Sequence, residues 1–228
     1  MKDAVHTGAE IVPLWTYRTK MDRTPLKEMQ SHWAQLQAGR LVPLRSEIDP
    51  RAIANTLESG FIVERTQPGM VRFRLAGLAL CDLMGMEVRG MPLRSFIAPA
   101  ARAEFSAQLE RVFDVPEVHE YSMISDNSTT SPLMARMLLL PLKSDSGEVD
   151  RAIGCIVTEG VVGLSPRRFR LVETVVTSLI TGQTTKTLAN NERADFSEQQ
   201  QPFAARPMVP KQPDGKPYLR LVQTEVED

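Results

Sequence analysis

The chain has 228 residues, and its 27 basic and 28 acidic side chains almost cancel. This balance lacks the basic footprint of a nucleic-acid binder, and no apolar run reaches the ~18 residues that suggest a membrane span. The N-terminal residues lack the apolar core and small-residue cleavage site of a signal peptide. Cys81 and Cys155 both lie among apolar neighbours, as buried free thiols do. We therefore expect a cytoplasmic globular protein that binds neither nucleic acid nor membrane.

Composition and periodicity divide the chain into four regions. Residues 1–23 are predicted to be flexible, and residues 24–160 to form a globular domain. Residues 161–187 are predicted to be a helical segment. Their apolar side chains follow helical spacing at Phe169, Val172, Val175, Val176 and Leu179.

Residues 188–228 are rich in proline and polar side chains, which predicts a disordered tail. Residues 218–222 form a short segment, Tyr-Leu-Arg-Leu-Val, within this tail. They are consistent either with a docking strand or with unstructured chain.

The globular region begins with a predicted amphipathic helix that starts at Thr24-Pro25. The apolar face of this helix carries Leu26, Met29, Trp33 and Leu36. A connector pinned by Pro43 and Pro50 follows. Asp49 and Pro50 then predict a short helix that runs to Leu57, with Asp49 as its N-cap.

Two strands, Phe61–Arg65 and Val71–Leu75, are predicted to form a hairpin around the turn Gln67-Pro68-Gly69. Short helical turns and the helix 99–113 follow. Three further strands are predicted at 118–124, 133–142 and 151–158. Because short connections join them, antiparallel neighbours are the simplest arrangement.

The order of these elements resembles the PAS fold, and the glycine-spaced segment 75–90 resembles the PAS stretch after the second strand. The block 31–50 is similar to the corresponding segment of a divergent alphaproteobacterial PAS family, whose members carry a single PAS domain and no output domain. The resemblance implies an α+β fold: a five-stranded antiparallel sheet with short helices on one face, plus an N-terminal amphipathic helix. It carries no catalytic residue across. The Asn-Cys-Arg motif of flavin photosensors is absent, since Met91–Phe96 stands at the corresponding helix.

A curved sheet covered by short helices can enclose a ligand cavity, and periodicity directs one set of apolar side chains inward. The alternative is that the same residues fill a core without a ligand. The candidate cavity residues are Phe73, Leu75, Met84, Phe96, Phe105, Leu109, Tyr121, Met123, Met137, Leu139 and Ile153.

The strands around Leu138 and Ile156 are apolar on both faces, which indicates that both faces are covered. Either the N-terminal helix of the same chain covers the outer face, or a second copy does. The candidate interface residues are Leu26, Met29, Trp33, Leu36, Leu138, Leu140 and Ile156.

Two polar features are further candidates. His119 is a candidate haem ligand, but its acidic neighbours favour a surface position. Arg40, Arg45 and Asp49 in the connector either fix this segment structurally or present a site for a ligand or partner. The three histidines lack metal-ligand spacing, so no metal site is expected.

These features favour a non-enzymatic PAS regulator that acts through contact with protein partners, with homodimerisation as a further expectation. The alternative is a sensor of haem or a metabolite, in which ligand binding drives a switch. No cofactor is required by the sequence. An enzyme with Cys81, His119 and Asp126 as a triad is a weaker hypothesis, because nothing in the sequence brings the three together, and nucleic-acid binding is weaker still.

Overall fold

The computed structural model describes residues 21–127 and 130–189. The rest of the predicted N-terminal region and tail, including residues 218–222, lies outside the described residues. The described α-helices are α1 (Thr24–Gln37), α2 (Leu78–Met84) and α3 (Arg102–Asp114). Short 3₁₀ helices cover Arg45–Glu47, Pro50–Thr56, Leu93–Phe96 and Pro99–Ala101. The strands are β1 (Gly60–Gln67), β2 (Met70–Ala76), β3 (Glu117–Asn127), β4 (Thr130–Lys143), β5 (Val149–Glu159), β6 (Arg170–Ser178) and β7 (Thr184–Leu188).

The described strands form one antiparallel sheet in the order β2-β1-β5-β4-β3-β6-β7. The fold is therefore mixed α+β, as predicted. The predicted count of five strands is wrong, because β6 and β7 extend the sheet beyond β3. The five predicted strands form a continuous block at the other side of the sheet.

The predicted helix in residues 161–187 is wrong, because this segment forms β6 and β7 instead. β6 is rich in β-branched side chains, which favour a pleated strand over a helix. It pairs with the free edge of β3, with Glu120 opposite Val175 and His119 opposite Val176. Leu188, which the prediction placed in the tail, ends β7.

The chain passes from β5 to β6 through a connection that is hydrogen-bonded to α2, to β3 and to the 3₁₀ helix Leu93–Phe96. Ser165 Oγ donates a hydrogen bond to the Asp82 carbonyl oxygen at 2.6 Å. The Arg167 backbone N–H donates to the Leu83 carbonyl at 2.7 Å, and Arg167 Nη2 donates to the Ser125 carbonyl at 2.7 Å. Arg167 is buried. These contacts fix where β6 begins and so place the β6–β7 hairpin beside β3.

The sheet separates two apolar cores. On the face covered by α2, α3 and the intervening 3₁₀ helices, we call the apolar interior the helical-face core. Its members include Phe61, Phe73, Phe96, Phe105, Tyr121 and Phe169. Burial of these large side chains contributes most of the driving force for this layer.

On the opposite face, α1 supplies the second core. Leu26, Met29 and Trp33 pack over Leu138 and Leu140, and all five are buried. Trp33 Nε1 donates a hydrogen bond to the Pro141 carbonyl oxygen at 2.8 Å, which fixes α1 across β4. The α1 helix of the same chain therefore covers this face, and homodimerisation remains a prediction.

Two candidate interface residues stand apart from this arrangement. Leu36 is only partly buried at the end of α1. Ile156 belongs to the helical-face core, because it alternates with Cys155 and Val157 along β5 and points to the other face.

Among the described helices, none is long and apolar enough to cross a membrane.

Candidate functional site

The structure places all but two of the candidate cavity residues in the helical-face core. Those in that core are Phe73, Met84, Phe96, Phe105, Leu109, Tyr121, Met123, Met137 and Leu139. Leu75 is 44% exposed and Ile153 lies in the core beneath α1, so both assignments are wrong.

Each error has a local cause. The β1–β2 pairing shifts register after Ile62, which pairs with Leu75 while Val63 pairs with Phe73. The extra residue on β2 reverses the alternation and turns Leu75 away from Phe73. Ile153 is in phase with Cys155 along β5, so it faces α1.

Aromatic rings occupy the interior where the cavity was predicted. The ring centroids of Phe73 lie 5.5 Å from Phe61 and 5.3 Å from Phe96, and those of Phe105 and Tyr121 lie 5.2 Å apart. These separations are contact distances for aromatic pairs. Phe73 therefore packs against Phe96, and Phe105 against Tyr121, while a ligand cavity and a core filled by side chains both stay predictions for the full set.

A row of polar side chains on β3 borders this core. Glu117, His119 and Tyr121 alternate along the strand and point to the same face, and all three are buried. His119 Nε2 lies 3.0 Å from Glu117 Oε2, and His119 Nδ1 lies 2.9 Å from the Tyr121 hydroxyl. The expectation that His119 lies at the surface is wrong, because it is in phase with Tyr121.

Arg111 of α3 completes the row. Its Nε donates to Glu117 Oε2 at 3.0 Å, and its Nη2 donates to Glu117 Oε1. Burial alone would raise the pKa of Glu117, but the bonds from Arg111 and His119 outweigh it and hold that pKa below its ordinary value. Glu117 is therefore an anion at neutral pH, with its charge compensated by Arg111.

The bonds define the protonation of His119. Burial lowers the pKa of His119, and the bond to Glu117 offsets this only in part, so the ring is neutral at pH 7. A carboxylate only accepts hydrogen bonds, so Nε2 carries the proton and Nδ1 accepts from the Tyr121 hydroxyl. Burial also raises the pKa of Tyr121, which keeps its proton. Because both ring nitrogens are bonded, haem ligation by His119 would require the loss of one of these bonds.

The row opens onto a cleft of about 410 Å³ between α3 and the β6–β7 hairpin, which we call the hairpin cleft. Arg111, Glu117 and His119 form its floor. The remaining lining residues, from α3, its C-terminal end and the hairpin, are Gln108, Val115, Thr174, Val176, Ser178, Thr181, Gln183, Thr185 and Thr187. A cleft with convergent polar groups and shifted pKa values is where a binding site is expected.

A second region lies at the other end of the sheet, beside β1 and β2. An apolar cleft of about 230 Å³ is lined by residues that include Ile53, Leu57, Ile62 and Leu75. Leu57 is 48% exposed and Leu75 44% exposed. A polar cleft of about 570 Å³ shares Ile62 and Leu75 with it and includes Arg45. We call the two together the β2-edge surface.

The connector residues divide between two roles. Arg40 pairs with Glu47 at 2.8 Å, and Asp49 Oδ1 accepts from the Arg51 backbone N–H at 2.9 Å, so both fix the connector. The Arg45 side chain forms no hydrogen bond or ion pair with any described residue and lines the polar cleft. The structural alternative therefore applies to Arg40 and Asp49, and a site for a ligand or partner at Arg45 stays a prediction.

Two members of the candidate triad, His119 and Asp126, lie far apart on β3, and the two cysteines lie in different environments. Cys155 is buried beneath α1, and burial raises the pKa of its thiol to about 12. Cys81 is partly buried on α2. Asp126 pairs with Arg170 and lies seven residues beyond His119 on β3, on the order of 23 Å away along the strand.

Arg111 and Glu117 are site residues that sequence reasoning missed. The sequence did contain a signal for Glu117. Polar residues stand at every second position from Glu117 to Tyr121, on the strand face that carries the buried Met123 further along β3. The partnership with Arg111 joins two different elements, so strand periodicity alone does not reveal it.

The profile of the PAS domain family matches residues 21–157, more than half of the chain. The chain belongs to the PAS domain family. The β6–β7 hairpin of this PAS protein, and with it one wall of the hairpin cleft, lies beyond the matched residues. No functionally curated protein matches the chain.

Several solved structures are similar to parts of this PAS protein. A light-oxygen-voltage domain studied with a flavin analogue is 18% identical, with 48% of this chain and 83% of that chain covered and a TM-score of 0.36. The Rhodobacter sphaeroides LOV protein is 14% identical, with 63% and 71% covered and a TM-score of 0.37. The light-state LOV domain of the blue-light photoreceptor Aureochrome1 is 13% identical, with 49% and 87% covered and a TM-score of 0.34. At these TM-scores the similarities carry no argument about this chain.

Proposed function

We propose that this PAS protein is a non-enzymatic regulator that acts in the cytoplasm through contact with a protein partner of a signalling pathway. The close packing of aromatic rings inside the helical-face core carries this proposal. Phe73, Phe96 and Tyr121 pack against neighbouring rings inside the domain. We therefore expect the protein to signal through contacts at its surface. We propose no nucleic-acid or membrane partner.

The β2-edge surface is where we place this contact. Leu57 and Leu75 are large apolar side chains exposed around a concave apolar cleft, and such features distinguish interaction sites from scattered surface apolar residues. The adjoining polar cleft presents Arg45, which has no acidic partner among the described residues. The partner chemistry that fits is a protein segment with large apolar side chains next to an acidic group.

The test is co-purification from an extract of the native host with the wild type and a Leu57→Glu, Leu75→Glu double variant. Leu188→Glu on β7, where Leu188 is 67% exposed, is the matched control. We expect one partner to be recovered with the wild type and the control and lost with the double variant. Circular dichroism establishes that all three are folded.

Three outcomes contradict this assignment. Recovery of no specific partner under any condition would remove the proposal of protein contact. Equal recovery with the double variant would place the contact elsewhere. A dimer mass in native mass spectrometry that the double variant abolishes would assign the β2-edge surface to a second copy of the chain instead.

A second candidate function is a small-molecule sensor, and the hairpin cleft favours it. The cleft combines a volume of about 410 Å³ with an exposed arginine and a buried carboxylate and imidazole. A metabolite fits these polar walls better than haem, since His119 has no free ring nitrogen. Native mass spectrometry compared with the denatured mass tests this function. A non-covalent mass lost on denaturation supports it, and a clean apo mass favours the regulator that acts through protein contact.

A further inference from the structure

Arg111 presents a free hydrogen-bonding edge to the hairpin cleft. A guanidinium has five N–H donors, and Glu117 takes one from Nε and one from Nη2. Nη1 forms no hydrogen bond with any described residue, and 57% of the Arg111 side chain is exposed. The edge formed by Nη1 and the second N–H of Nη2 therefore remains available. Two parallel N–H groups on this edge match the two oxygens of a carboxylate.

Glu117 fixes the orientation of that edge. Its side chain is only 4% exposed and accepts bonds from Arg111 and His119, so the guanidinium is held on one side by a buried anchor. An arginine restrained in this way loses little side-chain freedom when a ligand binds. The site is in this sense already formed in the protein.

The charge around Arg111 limits the charge of the ligand. Arg111 and Glu117 cancel, and the neighbouring His119 is neutral, so the floor carries no net charge. On the hairpin, Lys186 and Glu173 pair with each other at 2.8 Å, and neither lines the cleft. The single free guanidinium edge accommodates one carboxylate, whereas a nucleotide or another polyanion would need more than one uncompensated cation.

The opposite wall of the cleft supplies neutral hydrogen-bonding groups. Thr185 and Thr187 alternate along β7 and both line the cleft, and Gln183 precedes them. All three are exposed, and their side chains form no hydrogen bond with any described residue. Hydroxyl and amide groups at this spacing match a ligand with several hydroxyls.

We propose that the hairpin cleft binds a small hydroxylated monocarboxylate, with its carboxylate on the free edge of Arg111 and its hydroxyls on Thr185, Thr187 and Gln183. This inference rests on the second candidate function and names the ligand class for it. Because α3 and β7 supply opposite walls, the ligand ties the hairpin to the PAS domain. The hairpin thereby becomes the element whose position reports binding.

The test is isothermal titration of the full chain with gluconate, a six-carbon monocarboxylate rich in hydroxyls. Propionate, which lacks hydroxyls, and inorganic phosphate, which lacks a carboxylate, are the comparison probes. We expect gluconate to bind and both comparison probes to bind at least about tenfold more weakly. The absence of measurable gluconate binding, or equal binding of phosphate, overturns the proposal.

Three variants locate the site. Arg111→Lys keeps a cation beside Glu117 but removes the planar edge, and we expect it to weaken gluconate binding by about tenfold. Thr185→Val removes one hydroxyl from the cleft wall and should weaken binding by about threefold. Thr184→Val is the matched control, because Thr184 is the adjacent threonine and does not line the cleft. Equal affinity of the Thr185→Val and Thr184→Val variants would overturn the placement on β7.

Failure of this inference is separable from failure of the sensor function. If native mass spectrometry shows a ligand that all three variants retain, the sensor function stands and the site lies elsewhere. If gluconate binds the wild type and the Arg111→Lys variant loses affinity, both stand together.

Discussion

The five strands β2, β1, β5, β4 and β3 and the β6–β7 hairpin belong to one sheet, yet they are covered very differently. β4 and β5 are buried on both faces, between the helical-face core and α1. Every residue of β7 is exposed, and most of β6 is only half-buried. Since burial supplies most of the stabilising free energy, the hairpin is expected to open at a lower free energy than the five-stranded block.

β3 lies at the boundary between the two regions. On one face of the strand, Tyr121 contacts the aromatic core through Phe105, and Glu117 reaches the hairpin cleft. The hydrogen-bonded row along β3 therefore connects the buried five-stranded block to the exposed hairpin. A stable block with an adjustable hairpin is the arrangement expected of a domain that signals through local changes.

The largest expected effect comes from removing the cover of the stable block. Trp33→Ala removes a side chain that is 3% exposed and its bond to Pro141. We expect the free energy of unfolding to fall by about 3–5 kcal/mol, measured by urea denaturation. Trp33→Phe is the matched control and should cost about 1 kcal/mol for the lost hydrogen bond. A loss below about 1 kcal/mol for the alanine variant would mean that α1 contributes little to the block.

The five-stranded block is also the part that sequence periodicity predicted best. Alternation placed Phe73, Tyr121 and Met137 in the core because regular strands keep their phase. It failed at Leu75, where a register shift in the β1–β2 pairing reverses the phase. Sequence alternation cannot show such a shift, because the shift depends on how the partner strand is aligned.

The hairpin was mispredicted for a different reason. Val172, Val175 and Val176 satisfy a helical spacing as well as a strand, and the outcome depends on the free edge of β3. The hairpin cleft was missed with it, since its opposite wall consists of β6 and β7. Arg111 and Glu117 pair between α3 and β3, and sequence reasoning offers no rule that joins two such positions.

A smaller, pH-dependent effect tests the boundary strand. Burial holds the pKa of His119 below its ordinary value of about 6.5, against the opposing effect of Glu117. As the pH falls below about 6.5, the unfolded chain takes up a proton that the folded chain does not, so the free energy of unfolding decreases. This decrease ends once the pH passes below the lowered pKa of the folded state, where both states are protonated.

His119→Gln isolates this contribution, because an amide can bond to both Glu117 and Tyr121 but does not titrate. We expect the wild type to lose more stability than the variant between pH 7.5 and pH 5.5, measured by urea denaturation at both values. The charged groups bonded in this row, Glu117 and Arg111, are unchanged in the variant. Equal losses in the two proteins would show that proton uptake by His119 does not contribute.

The smallest effect on global stability is expected in the hairpin itself. Lys186→Ala removes the ion pair with Glu173, in which 60% of the lysine side chain is exposed, so the free energy of global unfolding should change by less than about 0.5 kcal/mol. Hydrogen exchange should nonetheless accelerate about twofold at the amides of β6 and β7, because the pair joins these two strands, and remain unchanged in β4 and β5. This separation requires that the hairpin opens independently of the block. The hairpin and the block unfold as one unit if the free energy of global unfolding falls by more than about 1 kcal/mol, or if exchange accelerates equally in β4. In that case the hairpin could not move alone when a ligand binds beside it.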